Sequence, residues 1–218
     1  MRVGLAGAVL AGLAGQVAAH PHVFIDTGLE VIFDAQGMAT ALRITWAYDD
    51  LVSLMIVEDR GMDPDGDGTL TPAEQAALTG FDMAWDADFA GDTHALAGDV
   101  PLVLSRPSDW TVDYRDGRVI STHLRRLEPP LRPGAVPLVV QVYDPGFYSA
   151  YAIAGTPVLT GAAPECSVQV FEPDRAAADA ILQAAIDEYT GDAGIEGDFP
   201  AVGAAYSEEA RITCAGGS

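Results

Sequence analysis

Residues 22–46 read HVFIDTGLEVIFDAQGMATALRITW, and this stretch decides the class of fold. β-prone residues alternate from Val23 to Phe33 and again from Ala41 to Trp46, around the polar turn Asp34-Ala35-Gln36-Gly37. Two such runs about a glycine-containing turn predict a β-hairpin. Working outward, short β-prone runs follow at Leu102–Leu104, Trp110–Tyr114, Arg118–Leu127, Val136–Tyr143, Tyr148–Ile153, Cys166–Phe171 and near Ala210–Cys214. Turn signals such as Asp116-Gly117 separate them. Asp174 to Tyr189 carries apolar residues at helical spacing and predicts one helix in the C-terminal region.

Between the hairpin and the later strands, Asp49-Asp50 start a helical stretch running from Leu51 to Asp59. Thr71-Pro72-Ala73-Glu74 start a second that runs to Thr79, with an extension to Phe89 as the alternative. The expected fold is therefore α+β: a β-sandwich-like body bearing a helix–loop–helix insertion of the EF-hand type at residues 50–90.

The loop inside that insertion reads DPDGDGTLTPAE, residues 63–74. A hard cation needs about six to eight oxygens, and a twelve-residue loop of this kind supplies them from positions 1, 3, 5, 7, 9 and 12. Here those are Asp63, Asp65, Asp67, the Thr69 carbonyl, Thr71 through water, and bidentate Glu74. Gly68 stands at position 6, where the backbone turns sharply. The expected cofactor is Ca²⁺. No second such loop occurs in the sequence, so the site reads as structural, with a regulatory role as the alternative.

Upstream, Met1-Arg2, the apolar run Val3 to Ala14 and Val17-Ala18-Ala19 read as a signal peptide cleaved after Ala19. The run is too short for a membrane-spanning helix, which needs roughly 20 residues. Residues 20–218 are expected to form a single β-rich domain, exported and without a membrane anchor. The whole chain has 11 basic and 32 acidic residues, a formal charge of −21. Losing Arg2 with the leader makes it one unit more negative. Such a surface disfavours nucleic acid, whose affinity comes from cation–phosphate contacts.

Cleavage there would expose His20, with His22 two residues on. An α-amino group and two imidazoles near neutrality suit Zn²⁺, Ni²⁺ or Cu²⁺. Side chains two apart in a strand share a face, so the rings could converge, with Asp26 further along it. The competing reading is two ordinary exposed histidines. His94 and His123, in separate runs, read as satisfied surface or core side chains. In an oxidising compartment Cys166 and Cys214 are expected to pair as a disulfide, with free thiols or a metal pair as the alternatives. Trp46–Asp50 and Tyr143–Tyr148 are aromatic–acid clusters explained equally by a shared surface or by strand-end packing and a turn. No nucleophile motif or phosphate-cradling loop is present, and no catalytic residue is expected.

Several of these motifs in order, His20-Pro-His-Val-Phe-Ile-Asp26, Trp46-x-Tyr-Asp49, the Asp63 loop, Tyr143-Asp-Pro145 and the two cysteines, resemble the DUF1007 family of bacterial periplasmic proteins. That family is described as the periplasmic component of an uncharacterised transport system and is associated with nickel/cobalt-type transporters and zinc-responsive regulation. The resemblance implies metal handling outside the cytoplasmic membrane; together with the residues above, the expectation is a non-enzymatic, Ca²⁺-stabilised, periplasmic metal-binding accessory of a Zn, Ni, Co or Cu transporter in the membrane. The alternative is a Ca²⁺-ordered interaction module with no transition-metal role.

Overall fold

The hairpin forms as β1 (Val23–Phe33) and β2 (Ala39–Tyr48), antiparallel, with Leu29 opposite Ile44 and Val31 opposite Leu42. Burial alternates along β1, because side chains in a strand point to opposite faces. Asp34 closes the turn by accepting hydrogen bonds from the Gln36 and Met38 amides. The computed structural model describes residues 21–163, 165–189 and 199–215. Residues 1–19, the expected leader, lie outside that range, as does His20.

Eleven strands join a single sheet. The longest, β6 (Arg118–Leu131), pairs antiparallel with β2, setting His123 opposite Ile44 and Ser121 opposite Trp46. Its other edge takes β5 (Ser108–Arg115) and then β4 (Val100–Leu104). Beyond β4 run β3 (Thr93–Ala97), β7 (Leu138–Val142), β11 (Glu209–Cys214) and β10 (Cys166–Phe171). On the opposite side β1 carries β8 (Ser149–Ile153) and β9 (Val158–Gly161), both parallel to it. β8 comes alongside β7, so the sheet rolls into a nearly closed, barrel-like body.

This corrects the expected fold class. Instead of two facing sheets there is one, because β1, β2 and β6 are long enough to twist and curl through a large arc, as twisted strands do. The inner face of the rolled sheet encloses one core, with Leu29, Val31, Phe33, Leu42, Ile44 and Leu127 from those three strands and Leu138, Val140 and Ile212 from β7 and β11.

The EF-hand helix–loop–helix is corrected too. The described residues contain three α-helices, all short: α1 (Asp50–Asp59), α2 (Pro72–Leu78) and α3 (Arg175–Glu188). α1 packs on β6 and α2 on β5, so each is fastened to the sheet rather than joined as a helix pair. α2 stops at Leu78, and Gly80 takes φ +77°. The end of α2 is within one residue of Thr79, and residues 81–92 then run as turns and loop across one end of the barrel, so the alternative extension to Phe89 does not form. The C-terminal-region helix forms as α3, capped by Asp174.

Candidate functional site

The acidic loop is built by local hydrogen bonds. Asp63 takes φ 53°, a left-handed conformation that aspartate tolerates better than most side chains. Its carboxylate accepts from the Asp67 and Gly68 amides, both at 3.0 Å. Asp67 accepts from the Thr69 amide and hydroxyl, which holds its carboxyl below the usual range. Glu74 bridges the two ends of the loop. It accepts from the Asp63 amide at 3.2 Å and from the Thr71 amide and hydroxyl at 2.7 Å, which lowers its own pKa. Thr71 returns the bond to the Glu74 amide, completing a capping box at the start of α2.

Carboxylate oxygens of Asp63, Asp65 and Asp67 lie within 4.8 Å of one another. The Asp65 carboxyl is raised above its ordinary value, first by hydrogen bonding with Asp63 and then by the charge on Asp67. None of the ion pairs among the described residues reaches the triad. Leu70, at position 8, is buried and anchors the loop in the core. The structure thus gathers three of the expected ligands on the solvent side. Glu74 is committed to the helix cap, with Thr71 as its partner, and Thr69 is bonded to Asp67.

A second cluster lies inside the barrel and was not legible in the sequence. Three neighbouring strands contribute inward-facing polar groups in register: Thr27 opposite Trp46, and Trp46 opposite Ser121. His123 follows two residues along and is 0 % exposed. Its ring meets Trp46 edge-on at 4.7 Å and Trp85 at 5.4 Å. Burial, followed by the charge on Arg125, pushes its pKa down to about 3, so the imidazole is neutral. Neither ring nitrogen has a hydrogen-bond partner among the described residues; Thr27 Oγ1, Trp46 Nε1 and Thr93 Oγ1 are buried in the same condition. Asp82 accepts from the Tyr48 and Ser121 hydroxyls, and burial raises its pKa. The 79–92 loop closes this end of the barrel. Trp85 stacks across Trp46 at 6.2 Å, and the Trp85 ring lies beneath the Arg106 and Arg125 guanidinium groups.

A family model described as "Protein of unknown function (DUF1007)" matches residues 5–214, nearly the whole chain. The chain belongs to the DUF1007 family. No curated protein matches it.

His20 lies outside the described residues. His22 packs against the Tyr148 ring at 4.9 Å, and its amide donates to the Tyr148 carbonyl. Asp26, the suggested further ligand, is engaged by Arg118 Nη1 at 2.6 Å. Cys166 and Cys214 sit directly opposite each other on β10 and β11 and are joined as a disulfide. His94 is held by stacking on Tyr143 at 3.9 Å. The aromatic–acid clusters prove structural in their acids. Asp49 caps α1 and accepts from the Phe24 amide, while Asp144 closes a turn by accepting from Gly146 and Ser149. Among the described residues no helix is long and apolar enough to cross a membrane.

Proposed function

We propose that this DUF1007 protein binds a divalent cation, Ca²⁺, at Asp63, Asp65 and Asp67, and works outside the cytoplasmic membrane as the metal-handling accessory of a Zn, Ni, Co or Cu transporter. The observation that carries the calcium part is the convergence of three carboxylates, with no basic side chain among the described residues paired to them, on a loop already ordered by its own amides. Hard oxygen donors at this spacing suit Ca²⁺, and an ion there would relieve the mutual repulsion that raises Asp65. Thr69, Thr71 and Glu74 stand close enough in the chain to complete the shell. Because Glu74 also caps α2, Ca²⁺ and the cap would compete for one carboxylate. The transporter part rests on the family resemblance and on His20 and His22.

The clean test is Asp65→Asn, which leaves in place the bonds from the Asp67 and Gly68 amides to Asp63 and those from Asp63 and Thr71 to Glu74. Chelator-treated wild type is expected to gain melting temperature as Ca²⁺ is added, and the variant to gain far less, while in chelator the variant melts no lower than wild type because one repelling carboxylate is gone. Equal gains in both would refute the site. For the transporter part, protein beginning at His20 should bind Zn²⁺, Ni²⁺ or Cu²⁺ in calorimetry more tightly than protein with residues ahead of His20.

A second reading, a Ca²⁺-ordered interaction module, is favoured by α1. It exposes Leu51, Leu54 and Met55 at helical spacing just before the loop. Ca²⁺ uptake without any transition-metal binding at the His20 end would select that reading.

A further inference from the structure

Acidic residues outnumber basic ones 32 to 11 in this chain, yet Arg106 and Arg125 line one cavity whose walls include no Asp or Glu. The cavity, about 380 Å³, opens beside β3 and β4 beneath residues 87–90, a size in the usual range for small-molecule sites. Arg125 is only 5 % exposed. Its guanidinium donates to the carbonyls of Ser105, Ala90, Thr93 and Leu104, and no carboxylate among the described residues pairs with it. Burial and then the neighbouring Arg106 lower its pKa to about 10, which leaves it charged at neutral pH. Arg106 likewise donates to main-chain carbonyls, those of Trp85, Asp86 and Phe89. A guanidinium carries five N–H groups. These bonds leave one on Arg125 Nη2, and on Arg106 the Nε proton and one at Nη2.

Two further observations point to a ligand. Thr93, which also lines the cavity, is 3 % exposed, and its hydroxyl has no hydrogen-bond partner among the described residues. Buried polar groups in folded proteins are nearly always bonded. Phe89, Leu102 and Leu104 give the rest of the wall an apolar side, and His94, Gln141 and Tyr143 a polar, uncharged one.

We propose that this cavity binds a small organic carboxylate. Arg106, Arg125 and the Thr93 hydroxyl take the carboxylate, and the apolar wall takes the body of the molecule. A single charge on an organic frame suits the site better than a polyanion such as phosphate. The strongly negative field of the whole chain repels multiple charge more than single charge, and Phe89, Leu102 and Leu104 would stand unused beside a small polyanion. The site is independent of the calcium loop and of the terminal histidines.

The full chain would be titrated with hexanoate, followed by Trp85 fluorescence and by the methyl NMR signals of Leu102 and Leu104. Hexanamide and inorganic phosphate serve as controls. Hexanoate is expected to saturate the site while hexanamide and phosphate do not. Arg106→Gln should weaken hexanoate by about tenfold or more, the usual scale for a lost charge-assisted hydrogen bond. Because Arg106 also holds the 85–89 carbonyls, Thr93→Val, which keeps the side-chain shape, is the second variant; a several-fold weakening is expected. Equal binding of hexanamide, binding of phosphate in place of hexanoate, no saturation, or unchanged affinity in Thr93→Val would each overturn the proposal.

Discussion

Tyr151 donates its phenolic hydrogen to Asp92 at 2.7 Å, tying β8 to the residue that leads into β3. Asp92 is 7 % exposed, and burial drives its pKa from 3.8 up to about 6; the Tyr151 bond opposes this and Asp144 adds to it. The folded chain therefore holds a proton on Asp92 that the unfolded chain has lost. Its contribution to stability falls as pH rises from near 3.8 through about 6 and stays unfavourable above that, by something of the order of 2–3 kcal/mol. Asp92→Asn, which still accepts from Tyr151, should raise the denaturant midpoint at pH 7.5. A lower midpoint there would mean that the ionised carboxylate is compensated in the folded chain.

His123 has the opposite sign. Its folded pKa lies near 3 against an ordinary 6.5, so its contribution is complete above 6.5 and is lost as pH falls towards 3. The two groups partly cancel between about pH 4 and 6. The acid limb of unfolding should steepen in Asp92→Asn, where His123 acts alone. His123→Leu should remove that steepness and raise stability at pH 7 by about 1–2 kcal/mol, because two unpartnered nitrogens leave the core. Urea titrations at pH 4.5 and 7.5 on the single and double variants measure both effects. A destabilised His123→Leu would show that the imidazole nitrogens are bonded in solution.

Two glycines with the same backbone angle should behave differently. Gly68 and Gly91 both take φ +76°. A Cβ on Gly68 meets nothing within 4 Å, so Gly68→Ala should cost only the left-handed strain of about 1 kcal/mol. A Cβ on Gly91 would stand 2.3 Å from the Trp85 ring and 3.1 Å from Arg125 Nη1. Gly91→Ala should therefore cost clearly more and red-shift Trp85 emission as the ring is displaced. Equal melting temperatures for the two variants would contradict the packing of the 79–92 loop.

The Cys166–Cys214 disulfide encloses a sequence separation of 48 residues. Loop-closure entropy for that span predicts a loss of roughly 4 kcal/mol on replacing both cysteines with serine. Because β10 hydrogen-bonds to β11, the loss should appear first as faster amide exchange along both strands.

How much of this was written in the chain differs from part to part. The hairpin, most strands, the α3 cap at Asp174 and the Thr71–Glu74 capping box follow from alternation and local hydrogen bonding, which neighbouring residues settle among themselves. β3 and β9 went unread, since short strands owe their extended form to the partners they pair with. The acidic loop was legible because its twelve residues are contiguous.

The sequence by itself determined that the chain is rich in strands, carries three close carboxylates and holds two cysteines able to pair. Tertiary structure alone decided that the strands close into one rolled sheet rather than two layers, since that depends on which edges meet. It alone brought Trp46, Asp82, Trp85, Asp92, His123, Arg125 and Tyr151 to one end of the barrel from widely separated segments. No spacing rule links those residues, because what unites them is the inward face of a curved sheet and the loop that covers it.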